Sequence, residues 1–266
     1  MITVGELKRY KHSDRRLQLY SNPANSWFSK TQTGSANGFD VKEVQLDENT
    51  TATDILLSEI YKALVEEDCD GIQLMWPLPK HIDAQKVYNA IDKQKDVDGI
   101  HFVGQSLIEN NKAYPPVTPS GIMALLKHNN IDVRGKRVLV IGRSLIVGSP
   151  LAHMLQKEGA ATLILHSEVP QPVLKSMVGE FDIIIPCVGE PGFIKAEWVD
   201  KNAIVINGGT TFLPESDALQ SDVEGDLGVH CSRYSPVPGG VGPLSLPHLL
   251  LNTAQAAWNQ ASSKLK

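Results

Sequence analysis

Aliphatic runs alternate with amphipathic segments through the second half of the chain. Residues 138–141, VLVI, form a continuous apolar run, which is typical of a strand buried on both faces of a parallel sheet. Later apolar runs predict strands at 162–165, 182–185 and 203–206, with helices from Pro150 and over 172–178. Regular alternation of this kind predicts an α/β fold whose second half is a doubly wound, Rossmann-like parallel sheet.

The first half predicts fewer elements. Ile55, Leu56 and Ile60 recur at helical spacing within 51–68 and predict one amphipathic helix, and Ser120 is expected to cap another over 121–126. The remaining predictions are strands at 16–21, 39–46 and 71–76, a helix over 83–91 and a final helix over 246–264. We expect two domains: residues 1–119 with 247–266, and residues 120–246.

Residues 136–150, KRVLVIGRSLIVGSP, predict a strand, a turn and the start of a helix. Gly142 permits the turn, Ser149 is expected to cap the helix and Pro150 to occupy its first position. A helix N-terminus placed after a strand favours an anion such as a dinucleotide pyrophosphate. However, Ser144 stands where the second glycine of G-x-G-x-x-G belongs, and Gly148 comes one position late. An ordinary strand-to-helix turn explains the stretch by itself equally well.

Composition narrows the function classes. The chain has 266 residues and a net charge of −5, and no dense basic cluster suggests a nucleic-acid or anionic membrane surface. The three cysteines are far apart, which favours free thiols in a reducing compartment. The histidines lack metal-ligand spacing, so no metal site is expected. No apolar leader or span-length segment is present, and we expect a cytoplasmic protein.

Six stretches, taken in order, resemble the methylenetetrahydrofolate dehydrogenase/methenyltetrahydrofolate cyclohydrolase family, a group of bifunctional enzymes of one-carbon metabolism. Any one of them could arise by chance, but the ordered set could not. They are PLPKHI (77–82), KDVDGIH (95–101), PPVTPSGIMALL (115–126), GRSLIVGSP (142–150), VGEPGFI (188–194) and SPVPGGVGPLS (235–245).

The resemblance implies two α/β domains with a folate-binding cleft between them, a nicotinamide cofactor on the second domain, and a homodimer. It also implies the reaction. Hydride passes from 5,10-methylenetetrahydrofolate to the cofactor, and the methenyl product is then hydrolysed to 10-formyltetrahydrofolate.

On the folate side, the resemblance assigns Asp98 to the pterin ring. A carboxylate suits the adjacent N–H donors of a pterin, although an aspartate before Gly99 is also common in turns. Pro238, Gly239 and Gly240 match the family's folate-side loop, in which glycines permit close approach to a flat ligand.

On the cofactor side, the resemblance assigns Gly142, Arg143, Ser144, Gly148, Ser167, Glu168 and Gly189 to nicotinamide binding. Many family members carry a basic residue at the position of Glu168. A glutamate would repel the 2′-phosphate of NADP and accept from the ribose hydroxyls of NAD, so we predict NAD over NADP. The alternative is that Glu168 only starts a solvated loop.

Lys30 is the candidate for the family's catalytic lysine, although an exposed helical lysine is nearly as good an interpretation. The family's partner tyrosine falls on Ser26, or on Phe28 in another alignment, and its glutamine falls on Met75. Neither side chain at the tyrosine position is a phenol, and a thioether donates no hydrogen bond. We therefore expect cyclohydrolase activity to be weak or lost.

Two rival hypotheses remain: a non-catalytic folate- or nucleotide-binding relative that acts through a partner, and a dehydrogenase with an unrelated substrate. Asn207, where the family commonly has aspartate, also departs from the pattern. Relative to the family the chain starts roughly two dozen residues late. We expect residues 1–11 or a partner subunit to cover the sheet of the first domain in place of the family's first helix, or else an apolar patch to remain there.

Overall fold

The structure, a computed structural model, describes residues 2–8, 37–47, 51–65, 69–75, 78–101, 114–213 and 218–263. The strand predicted at 16–21 lies outside these ranges. The chain divides into two units, the first formed by Met1–Pro115 with Leu249–Lys266 and the second by Pro116–His248.

The described helices and strands are numbered separately in chain order. The strands are β1 (Ile2–Lys8), β2 (Val41–Leu46), β3 (Cys69–Leu74), β4 (Arg137–Ile141), β5 (Ala161–Leu165), β6 (Ile183–Pro186), β7 (Ile194–Lys195), β8 (Ile204–Val205), β9 (Thr210–Leu213), β10 (Ala218–Ser221), β11 (Val223–Glu224) and β12 (Arg233–Tyr234). The helices are α1 (Thr53–Val65), α2 (Ala84–Ala90), α3 (Val117–His128), α4 (Gly148–Lys157), α5 (Gln171–Val178), α6 (Leu227–His230) and α7 (Gly242–Ser263), with a 3-10 turn at Ala196–Trp198.

The second unit is built on a five-stranded sheet in the order β12-β8-β6-β4-β5, and every neighbouring pair is parallel. The chain passes from β4 to β5 on one side and then returns to β6 on the other. That reversal is the topological switch point at which open α/β sheets bind ligands, beyond the carboxyl ends of the strands. The predicted doubly wound parallel sheet is confirmed.

Side chains from β4 serve two cores, as the continuous apolar run predicted. Leu139 and Ile141 pack with α5, whereas Val138 and Val140 pack with α4, and all four side chains are fully buried. Because successive side chains of a strand point to opposite faces, helices must cover both faces of this sheet.

The first unit contains a three-stranded sheet in the order β2-β1-β3, with β1 antiparallel to both neighbours. The sequence leaves open whether residues 1–11 or a partner subunit covers this sheet, or an apolar patch remains on it. In the structure, Ile2–Lys8 is instead its middle strand. The amphipathic helix predicted within 51–68 is α1, whose Leu56 and Ile60 are fully buried.

One predicted helix cap and one predicted helix start are wrong. Ser120 lies inside α3, which begins at Val117 after Pro116, and its side chain is buried. Pro116 and Pro119 explain the earlier start, because a proline N–H is not needed in the first turn of a helix. α7 likewise begins at Gly242 rather than at 246.

Candidate functional site

The turn that carries Asp98 is shaped by a different aspartate, Asp96. One carboxylate oxygen of Asp96 accepts from the backbone N–H groups of Gly99 and Ile100 at 3.0 and 3.1 Å. The other accepts from His101, at 2.8 Å from its backbone N and 2.9 Å from its ring Nδ1. Asp96 is 1% exposed, so these bonds satisfy a carboxylate that water does not solvate.

The turn that carries Asp98 is also hydrogen-bonded to other elements of the first unit. Ile72 in β3 donates its backbone N–H to the carbonyl of Lys95 at 2.6 Å, and Asn252 in α7 donates to the carbonyl of Val97 at 2.9 Å. The Lys95 ammonium donates to the carbonyl of Leu64 at the C-terminus of α1, 2.9 Å away. A strand and two helices therefore fix the position of Asp98.

Asp98 lies beside Gln73 of β3. Gln73 Nε2 donates to Asp98 Oδ1 at 3.2 Å, and the two side chains are 6% and 9% exposed. Met75, which stands at the family glutamine's position, follows the end of β3 and is half-buried. Lys30, Ser26 and Phe28 lie outside the described residues, so the role of Lys30 stays a prediction.

In the turn after β4, Ser144 and not Ser149 accepts hydrogen bonds from the backbone at the start of α4. Ser144 Oγ accepts from the backbone N–H groups of Val147 and Gly148 at 3.1 and 3.4 Å. Ser149 Oγ instead donates to the carbonyl of Arg143 at 3.0 Å. α4 begins at Gly148, so Pro150 is its third residue and not its first. The positive end of the α4 dipole nevertheless opens at the carboxyl edge of the sheet.

Gly142 and Gly148 are required by packing between the turn and its neighbours. Gly142 has φ +132°, and a Cβ there would lie 2.5 Å from the carbonyl oxygen of Cys187. A Cβ on Gly148 would lie 2.0 Å from the carbonyl oxygen of Gly142. These two glycines bring β4, α4 and the end of β6 together, and neither contact by itself identifies a ligand.

Arg143 and Glu168 form an ion pair across the ends of β4 and β5, with 2.8 Å between the guanidinium Nη2 and the carboxylate Oε2. Their side chains are 54% and 73% exposed, so the pair contributes little to stability. Ser167 beside it is exposed. The two charged residues predicted to contact the cofactor are thus already neighbours, and Glu168 occupies one side of the Arg143 guanidinium.

Gly189 follows β6 with φ +76°, and no described residue other than its two chain neighbours has an atom within 4 Å of where its Cβ would be. The carboxylate of Asp222 holds this loop by accepting from the backbone N–H groups of Val188, Gly189 and Glu190 at 2.6, 3.0 and 3.1 Å. Burial raises the pKa of Asp222, and these backbone hydrogen bonds partly offset that increase.

The loop with Pro238, Gly239 and Gly240 follows β12 and is held at its base by Asn207. Asn207 Nδ2 donates to the carbonyl of Ser235 at 2.7 Å, and Ser235 Oγ accepts from the Asn207 backbone N–H at 2.8 Å. An aspartate has no N–H to donate there, so asparagine fits this buried network. Pro238 and Gly239 are exposed.

Among the described residues, no disulfide and no metal-binding cluster contributes to the candidate site. None of the three cysteines, all of them among the described residues, forms a disulfide, and burial raises the pKa of Cys187 to about 12. Across the ranges that the structure covers, no group of three or more His, Cys, Asp or Glu is arranged to hold a metal ion. Among the helices described, none is long and apolar enough to cross a membrane.

The structure therefore brings the predicted cofactor residues to one edge of the parallel sheet, after β4, β5 and β6. Three polar residues that shape the candidate sites were not predicted from the sequence: Gln73, Asp96 and Asp222. Asp96 precedes Asp98 by two positions in the KDVDGIH motif, and a polar residue inside the apolar run GIQLMW was a signal for Gln73. Nothing local marked Asp222, because its partners are more than 30 residues away.

Two family models match the chain. The model described as "Tetrahydrofolate dehydrogenase/cyclohydrolase, NAD(P)-binding domain" matches residues 116–261. The model of the "catalytic domain" of the same family matches residues 16–98.

Individual relatives agree with these matches. The "Bifunctional protein FolD" of Leptospira biflexa is 37% identical over 249 residues, which is 92% of this chain and 83% of that protein. The crystal structure of the FolD of Trypanosoma brucei, complexed with NADP and an inhibitor, has a TM-score of 0.79 at 34% identity and covers 87% of this chain and 81% of its own. The FolD structure of Campylobacter jejuni has a TM-score of 0.79 at 33% identity, with coverages of 91% and 86%.

Proposed function

The chain belongs to the tetrahydrofolate dehydrogenase/cyclohydrolase family, and from this membership we propose that it oxidises 5,10-methylenetetrahydrofolate by hydride transfer to a nicotinamide cofactor. The observation that carries the proposal is the buried Asp98 carboxylate, held at a fixed position by a strand and two helices in the unit that matches the catalytic domain. The second unit supplies the carboxyl edge of its parallel sheet, at the topological switch point, as the place for the cofactor.

The residues at that edge fit a dinucleotide. Space is open beside Gly189, the N-terminus of α4 favours a pyrophosphate, and the Arg143 guanidinium is exposed nearby. When bound, the cofactor supplies the nicotinamide ring that accepts the hydride. Asp222 keeps the Gly189 loop in place through its three backbone bonds, so the cofactor meets a preformed surface.

On the substrate side, Asp98 accepts hydrogen bonds from the pterin ring and fixes its orientation. Pro238, Gly239 and Gly240 form the second folate contact, and Ser235 and Asn207 hold that loop from beneath. Hydride transfer needs two rings held face to face more than it needs a proton carrier.

We further propose NAD as the preferred cofactor. Glu168 stands beside Arg143, so a 2′-phosphate that approached the guanidinium would also approach a carboxylate. The same carboxylate can accept from the free ribose hydroxyls of NAD. The relative from Trypanosoma brucei was crystallised with NADP, and Glu168 is the feature of this chain that argues for the other cofactor.

Residues 1–119 with 247–266 are proposed as the folate-side domain and 120–246 as the cofactor domain, assembled as a homodimer. Sedimentation of the purified protein tests the oligomeric state.

One assay tests the function. Purified protein is mixed with 5,10-methylenetetrahydrofolate and either NAD or NADP, and methenyl absorbance is followed over time. We expect methenyl product with a higher kcat/KM for NAD. The absence of product with both cofactors contradicts the proposed dehydrogenase, and slow decay of the methenyl signal at the spontaneous rate agrees with a weak cyclohydrolase.

A further inference from the structure

Gln73 is a buried polar residue that the function proposed above does not use. It is 6% exposed in β3, where all six residues are buried, and Ile72 and Leu74 occupy the opposite face of the strand. A glutamine is rarely kept in such a position unless both ends of its amide have partners.

Only one end of the amide is bonded. Nε2 donates to Asp98 Oδ1 at 3.2 Å, whereas Oε1 is buried and has no hydrogen-bond partner among the residues described. The reversed amide would place Oε1 against a carboxylate oxygen, two acceptors in contact, so the assignment of oxygen and nitrogen follows from the chemistry. Gln73 Oε1 is therefore an acceptor beside Asp98 to which no described residue donates.

The pterin ring of the proposed substrate presents such a donor. Its 2-amino group carries two N–H bonds and N3 carries one. A carboxylate that accepts from N3 and from the 2-amino group leaves the second amino hydrogen unpaired. Resting on the proposed function, we propose that Gln73 is a substrate-binding residue whose Oε1 accepts this second amino hydrogen while its Nε2 holds Asp98 in place.

Gln73 thus makes the recognition of the amino group complete, because every N–H on that edge of the ring has an acceptor. A site built to bond a donor rejects an analogue that lacks it, since the buried acceptor is then left unpaired. Gln73 also gives this chain a carboxamide on β3, although the family's glutamine position holds Met75.

The test is a double-mutant cycle in which one change is made in the protein and the other in the ligand. The dissociation constants of tetrahydrofolate and of its 2-desamino-2-methyl analogue are measured for the wild type, Q73L and Q73M. We expect each substitution to weaken tetrahydrofolate binding about tenfold, the loss of one hydrogen bond to a ligand, and to leave analogue binding within about twofold. Q73M retains the length of the side chain if Q73L folds poorly.

Q260L is the matched control. Gln260 Nε2 donates to the carbonyl of Asp70 in β3 at 2.7 Å, so its loss removes a glutamine hydrogen bond at the same strand without touching Asp98. The inference is overturned if Q73L weakens the binding of both ligands equally, or does not weaken binding at all. It is also overturned if Q73L and Q260L weaken tetrahydrofolate binding equally, or if the wild type does not bind tetrahydrofolate. Because binding is measured apart from turnover, tight binding without methenyl formation refutes only the proposed function.

Discussion

Replacing Glu168 with glutamine tests the basis of cofactor choice. The substitution keeps the shape of the side chain, removes its charge and leaves the Arg143 guanidinium without its carboxylate, which lies 2.8 Å away. We expect E168Q to raise kcat/KM for NADP and to lower it slightly for NAD, because a repulsive charge is lost and an acceptor for the ribose is weakened.

The magnitude follows from exposure and charge. Two unit charges about 6 Å apart interact by about 0.7 kcal/mol in water and about 3 kcal/mol at an effective dielectric constant near 20. Glu168 is 73% exposed, which places it near the aqueous end of this range. A phosphate monoester carries nearly two charges. Removing Glu168 should therefore favour NADP by about 1.5 kcal/mol, roughly a tenfold change in the NADP/NAD ratio.

The assay measures methenyl formation at saturating 5,10-methylenetetrahydrofolate with each cofactor varied. E158Q is the control, since Glu158 is an exposed glutamate just past the C-terminal end of α4, at the opposite edge of the sheet, and its loss changes net charge equally. The E168Q effect should shrink in high salt, which screens exposed charges. A cofactor ratio that changes less than twofold, or that changes equally in E158Q, refutes the role of Glu168.

Three further predictions concern the supports of the site, and one concerns a buried thiol. D222N places an amide against three backbone N–H donors, so unfolding free energy should fall by about 1–3 kcal/mol and the KM for cofactor should rise, as denaturation and kinetics will show. N207D should lower the unfolding free energy by a similar amount, because it places an oxygen against the Ser235 carbonyl. N129D should lower it less, because Asn129 also donates to a backbone carbonyl but is exposed. M75Q should speed methenyl hydrolysis relative to M75L, and equal rates would contradict the importance of that position. Native Cys187 should resist alkylation at pH 8, where a pKa of about 12 leaves roughly one thiolate in ten thousand, and should react after unfolding, as mass spectrometry can establish.

The periodicity of the chain determined the parallel sheet and most of its helices. The run over residues 138–141 required burial on both faces, and the structure buries all four side chains between two helical layers. Ser149 and Ser120 were placed wrongly because a cap depends on where the backbone turns. A serine near a proline does not by itself define that point.

Motifs predicted which residues contact the ligands, since glycine and charge patterns are local. The partners of those residues are not local. Asp222 lies more than 30 residues from the loop it holds, Asn252 is 155 residues from Val97, and Gln73 is 25 residues from Asp98.

The sequence alone thus determined the fold class, the family and the candidate contacts of the cofactor and the pterin. Only the tertiary structure decided what supports them: that Asp96 shapes the turn of Asp98, that Glu168 pairs with Arg143, and that Gln73 Oε1, beside Asp98, has no hydrogen-bond donor among the described residues. The physical reason is that buried polar groups must find partners across the fold, and no local pattern of residues specifies which ones they find.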